Sequence, residues 1–86
     1  MKDIGIIGCR VNGSRVSECH PRSPAEEYLL PGDKILRVNG KRNMNIDGPI
    51  GTKVKLTVSR GSQVFDVTLI RASALSLGKD PEMYHE

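Results

Sequence analysis

Eighty-six residues, with 13 Lys and Arg against 10 Asp and Glu for a formal charge of +3, make one domain with one core. Aromatic residues are 3% of the chain and Trp is absent, so that core is aliphatic. The cations are scattered, with neither the basic stripe nor the stacking aromatics of a nucleic-acid binder, and no apolar run approaches the ~18 residues of a membrane-crossing helix.

Ile4 to Val11 reads as a strand, Asn12-Gly13 as a tight type I′ turn, and Ser14 to His20 as the returning strand. In that register Val11 faces Ser14, Cys9 faces Val16 and Ile6 faces Cys19. The two sulfurs then attach ~10 Å apart on opposite faces, at a strand rise of ~3.3 Å. A disulfide needs Cα atoms within about 7 Å, so no intrachain bridge is expected. Cys19 takes an aliphatic core position, and Cys9 lies on the more exposed face as a free thiol.

Ser23-Pro24-Ala25-Glu26 carries helix-start signals: a Ser cap, Pro at the first helical position, and Glu placed to close a capping box. A short helix is expected near 24–29, ended by Pro31-Gly32. Ile35, Leu36 and Val38 then give a buried strand over 34–38, closed by Asn39-Gly40, with a short strand at Lys41-Arg42. Residues 43–51, rich in Asn, Asp, Gly and Pro, read as loop with at most one helical turn around Met44–Asp47. Val54, Leu56 and Val58 alternate with Lys53, Lys55 and Thr57; after Arg60-Gly61-Ser62 the alternation resumes at Phe65, Val67 and Leu69. From Ala72 to Glu86 the pattern fades, and a linker or tail is expected. The fold class is mainly β with one or two short helices (α+β), a small partly open barrel of five to six strands capped by the helix.

Catalytic chemistry is not visible. Cys19 and His20 are strand neighbours and point to opposite faces, so the imidazole cannot activate the thiol. His20 and His85 lie far apart in sequence, and no metal spacing occurs. Asp33 belongs to a turn, where it accepts backbone N–H bonds, and neither it nor Asp66 has an acid/base partner. Gly5-x-x-Gly8 lacks a following helix N-terminus to bind phosphate. The chain is not expected to be an enzyme.

Ser23-Pro24-Ala25, Pro31-Gly32-Asp33 and Val38-Asn39-Gly40, in that order and spacing, resemble the matching segment of PDZ domains. Gly51-Thr52-Lys53-Val54, Leu56-Thr57-Val58 and Arg60-Gly61 are similar to the penultimate strand and hairpin of the bacterial, circularly permuted type found in carboxyl-terminal processing proteases. The resemblance covers residues 3–71 and implies a PDZ-like domain followed by a tail over 72–86. It places the family's carboxylate-binding loop on Asp3-Ile4-Gly5-Ile6, with the amides of Ile4, Gly5 and Ile6 receiving a peptide's terminal carboxylate. Residues 6–11, including Ile7 and Gly8, would then pair with the peptide as an added strand. Such a loop calls for positive φ at Gly5, so Gly5→Val is expected to abolish binding with little loss of fold.

The family's second helix, the facing wall of the groove, does not fit. Eight helical residues would advance ~12 Å and leave almost nothing of residues 41–50 for connections. Met44 and Ile46 are the apolar residues available either to replace that wall or to plug the core edge. The resemblance therefore implies a module that binds an extended peptide or protein C-terminus. The alternative is a structural or regulatory domain with a vestigial groove, packed on a catalytic domain of the same parent chain or on its own copy as a homodimer. No cofactor, metal, nucleic acid or membrane insertion is expected.

Overall fold

The computed structural model describes residues 3–77. Within them the chain forms β1 (Gly5–Ile6), β2 (Cys9–Asn12), β3 (Arg15–Cys19), β4 (Lys34–Val38), β5 (Lys53–Arg60), β6 (Gln63–Ile70) and β7 (Ala72–Ser73). An antiparallel five-stranded sheet runs β2-β3-β4-β5-β6, and β1 pairs with β7 in a separate two-stranded ribbon. The mainly-β expectation holds. The larger sheet is open, with β2 and β6 as its edges, so no closed barrel forms.

Strict alternation explains β5 and β6. Val54, Leu56 and Val58 are fully buried while Lys53 and Lys55 face water. The pairing runs without interruption from Lys53↔Ile70 to Arg60↔Gln63, around the turn at Gly61-Ser62. Those residues join Ile7, Val16, Leu29, Ile35, Val38 and Leu69 in one aliphatic core.

The expected helix over 24–29 is absent: the segment is a run of turns, and no helix occurs among the described residues. Leu29 N donates to Ala25 O at 2.9 Å, but the next amide, Leu30 N, donates to Asp33 Oδ2 at 2.9 Å. A helical continuation needs that amide for Glu26, so Asp33 stops the helix before a second turn can offset the cost of the first. The capping box also differs. Glu26 accepts from Arg22 N at 3.2 Å, while the Ser23 hydroxyl is buried and unpartnered. Ala25 and Leu29, both buried, tie the segment to the core instead. Lys41 makes a single bridge to Val38, closing the Asn39-Gly40 turn without a further strand. Past Arg71 the chain folds back: β7 pairs with β1, Ala74 N donates to Ile4 O at 3.0 Å, and Ala74 is buried. The rest of the expected tail, with His85, lies outside the described residues.

The first hairpin departs from the expected register in two places. Its tip is Gly13-Ser14, with Gly13 at φ 66°, so Asn12 rather than Val11 flanks the turn, opposite Arg15. A bulge then follows: Val11 faces Val16 but Arg10 faces Glu18, leaving Ser17 as the extra residue, its hydroxyl donating to Arg10 O at 3.2 Å. Cys9 is thereby set opposite Cys19, and the two form a disulfide across a Cα–Cα distance of 3.9 Å. The expectation of two free thiols is corrected. The bonded residues are ten apart in sequence, a short loop whose closure contributes about 3 kcal/mol in the chain-entropy account. Reductant is expected to lower the urea midpoint accordingly. The Cys9→Ala/Cys19→Ala protein should show the same loss and no response to reductant. A wild-type midpoint indifferent to reductant would contradict the bond.

Asp33 is buried and bidentate with Arg60: Nε to Oδ1 at 2.9 Å and Nη2 to Oδ2 at 2.7 Å. Arg60 also donates to Tyr28 O at 3.0 Å and stands 4.9 Å over the Phe65 ring. The Arg60 bond holds the Asp33 carboxyl below its ordinary value of 3.8, against the opposing effect of burial and with help from the Leu30 amide. Asp3 is lowered as well, first by the Ser73 hydroxyl and then, against burial, by the amides of Leu75, Ile4 and Ala74. Both carboxylates are more acidic folded than unfolded. Their stabilisation is complete above the unfolded value and is lost as pH falls through the folded values. Thermal stability should therefore be flat above about pH 5 and fall below about pH 4. In Asp33→Asn the slope of that acid limb should be shallower; an unchanged slope would remove Asp33 from the account.

Candidate functional site

Gly5 has a backbone neighbour on each side and is hydrogen-bonded to one of them. It donates to Gly48 O at 2.7 Å and accepts from Gly48 N at 3.0 Å, while β7 places Ser73 opposite it on the other side. A Cβ at Gly5 would lie 2.6 Å from Gly48 O, 2.8 Å from Arg71 Cβ and 2.9 Å from the Pro49 carbonyl carbon. Gly5 is thus required by close backbone approach, not by positive φ, and Gly5→Val would strike the fold itself. The positive φ in this segment belongs to Gly8, at 86°.

The neighbouring groups are engaged too. Ile4 N donates to Asp3 Oδ1 at 2.9 Å, Ile7 O accepts from Ala25 N at 3.2 Å, and Gly8 O accepts from His20 N at 2.7 Å. Ile6 pairs with Ala72. Ile6 and Ile7 are fully buried and Gly8 packs on Ser23, whereas Ile4 is half-buried. Of the two loop residues, Ile46 is buried in the core and Met44 remains 39% exposed. The core-plug role therefore belongs to Ile46.

What this arrangement leaves open is the outer edge of β2, on which no described strand pairs. The His20 N to Gly8 O bond marks a bonded pair, so the adjacent Cys9/Cys19 pair is a non-bonded one. Alternation then turns the N–H and C=O of Cys9, and of Val11 two residues on, away from β3. The disulfide fixes Cys9 against the inner strand and keeps this edge extended. Arg10 faces Glu18 at 3.8 Å with both side chains exposed, a pair worth little.

Arg71 was not singled out by the sequence. Its side chain is buried, with Nε donating to Ile46 O at 2.8 Å and Nη1 to Thr52 Oγ1 at 2.9 Å. A Cβ on Gly48 would come within 2.8 Å of its guanidinium carbon, so that glycine gives the planar head room. The only local signal was an arginine directly after an alternating strand, facing a loop with two glycines.

No protein-family model matches this chain, and no curated protein does. The sulfur of Cys19 is bonded to Cys9, so Cys19-His20 offers no thiolate. Among the described residues no three of His, Cys, Asp and Glu gather as metal ligands would.

Proposed function

We propose that this chain is an interaction module, not an enzyme, that takes an extended peptide as an added strand on β2. The observation that carries this reading is the unpaired β2 edge, with Cys9 and Val11 directing main-chain donors and acceptors outward. The resemblance to PDZ domains supports it, because the strand that follows the Ile4–Gly8 segment is the one that family uses. In this reading the open sheet and the β1–β7 ribbon make a PDZ-like partial barrel whose first helix is reduced to turns. Main-chain pairing supplies the affinity. The terminal carboxylate contributes little, since the Ile4 and Gly5 amides already donate within the fold.

Titration of the nitrogen-labelled protein with a library of extended peptides tests it. The Cys9 and Val11 amide resonances are expected to shift, and free-acid and amidated forms of a binding peptide should bind alike. Val11→Pro deletes an outward donor while sparing the β2–β3 ladder, and should weaken binding about tenfold. Shifts that avoid β2 with every peptide, or binding lost on amidation, would overturn the reading.

A further inference from the structure

β6 is the other edge of the five-stranded sheet; no described strand pairs on it, and of the devices that keep edges from pairing it carries a single charge. All eight of its residues stay in register with β5, without a bulge, and the strand holds no Pro and no Lys. Its one charge is Asp66. Val64 is 63% exposed and Ile70 57%, near the two ends of the strand on its outer face.

From this geometry we infer that β6 pairs antiparallel with β6 of a second copy, joining two sheets about a two-fold axis through Val67. The register follows from two constraints. The Gly61-Ser62 turn makes Arg60/Gln63 a bonded pair, and Arg71 N donating to Thr52 O continues the same alternation at the far end. Among the described residues the free edge groups are therefore those of Val64, Asp66, Thr68 and Ile70. Only registers that set these residues opposite one another can bond, which excludes every shift by one residue.

Among the permitted registers, centring on Asp66 opposes two like charges. Centring on Thr68 sets Asp66 against Ile70, and centring on Phe65 sets it against Val64, an apolar residue in either case. Centring on Val67 places Asp66 opposite Thr68 of the second copy, Val64 opposite Ile70, Phe65 opposite Leu69, and Val67 opposite itself. Apolar meets apolar on both faces, and the one carboxylate meets a hydroxyl. A single strand pair buries less than the area of a permanent interface, so the dimer is reversible and concentration-dependent.

Sedimentation and amide exchange on the wild-type chain over a wide concentration range test this. The mean mass is expected to rise with concentration, and the Val64, Asp66, Thr68 and Ile70 amides to gain protection. Those of Phe65, Val67 and Leu69, already bonded to β5, should not change. Thr68→Asp sets a carboxylate opposite Asp66 and should abolish the mass increase; Asp66→Lys/Thr68→Asp should restore it. Because both positions are exposed, the circular dichroism of each variant checks that the fold is kept. A chain that stays monomeric throughout, a dimer indifferent to Thr68→Asp, or one that protects Cys9 and Val11 instead would overturn the inference.

Discussion

Gly8→Ala is expected to lose about 2–5 kcal/mol of stability. Of this, roughly 1–2 kcal/mol comes from holding an L-residue in the left-handed region and about 1–3 from overpacking. Gly8 has φ 86°, and a Cβ there would come 2.1 Å from Ser23 Cβ, well inside any tolerable contact. Neither side can give easily. Gly8 O is bonded to His20 N, and Ser23 is buried next to Ala25, whose amide is bonded to Ile7. The two contributions separate by experiment. Gly13→Ala, at φ 66° with nothing within 4 Å, carries only the conformational part. Ser23→Gly removes the opposing Cβ, so in that background Gly8→Ala should lose only what Gly13→Ala loses. Urea denaturation of the wild type, Gly8→Ala, Ser23→Gly and their double variant gives the cycle, with Gly13→Ala as the reference. If Gly8→Ala and Gly13→Ala cost the same, the contact with Ser23 is not what constrains Gly8.

How far the sequence carried the fold depends on which competitor acted at each place. The β5–β6 hairpin was legible because Val54, Leu56, Val58 and Val67 alternate with polar residues, and nothing longer-ranged opposes a strand there. The 23–29 segment had good local signals, yet Asp33 took the Leu30 amide from the far side, and a six-residue helix has no margin for that loss. At the first hairpin the disulfide was excluded by placing the turn at Asn12-Gly13 and assuming strict alternation. The sequence did hold a contrary sign. Val16 and Cys19 are three apart, so both can face the core only if an extra residue is accommodated between them, which is what the bulge at Ser17 does. For the candidate site, the Ile4–Gly8 segment was found, but which of its groups are free was not readable. The pairing of Gly5 with Gly48 and of β1 with β7 joins residues more than forty positions apart, and no local pattern encodes it.

That same distant pairing makes Arg71→Met the second large effect, an expected loss of about 3 kcal/mol. Methionine keeps most of the volume but deletes the donors that serve Ile46 O and Thr52 Oγ1. Hydrogen bonds from a charged group contribute about 1.5–3 kcal/mol each, and the relaxed loop recovers part of that by hydrating its carbonyl. The loss should be local before it is global. Arg71 N to Thr52 O and Gly51 N to Arg71 O are main-chain bonds that survive the substitution, so β5 and β6 stay paired. Residues 46–50, however, lose the side chain that holds them against β1. Amide exchange should then quicken at Gly5 and Gly48, whose mutual bonds depend on that placement, while Val54 and Leu56 stay protected. Arg71→Lys can reach one acceptor but not both, and should fall between. The consequence for the proposed site is directional. Release of the Gly5–Gly48 pair frees the Gly5 amide, so Arg71→Met should make the Ile4–Ile6 segment more receptive to a peptide carboxylate, even as the fold weakens. A free-acid peptide that gains on its amide in Arg71→Met, but not in the wild type, would show that Arg71 is what closes that loop.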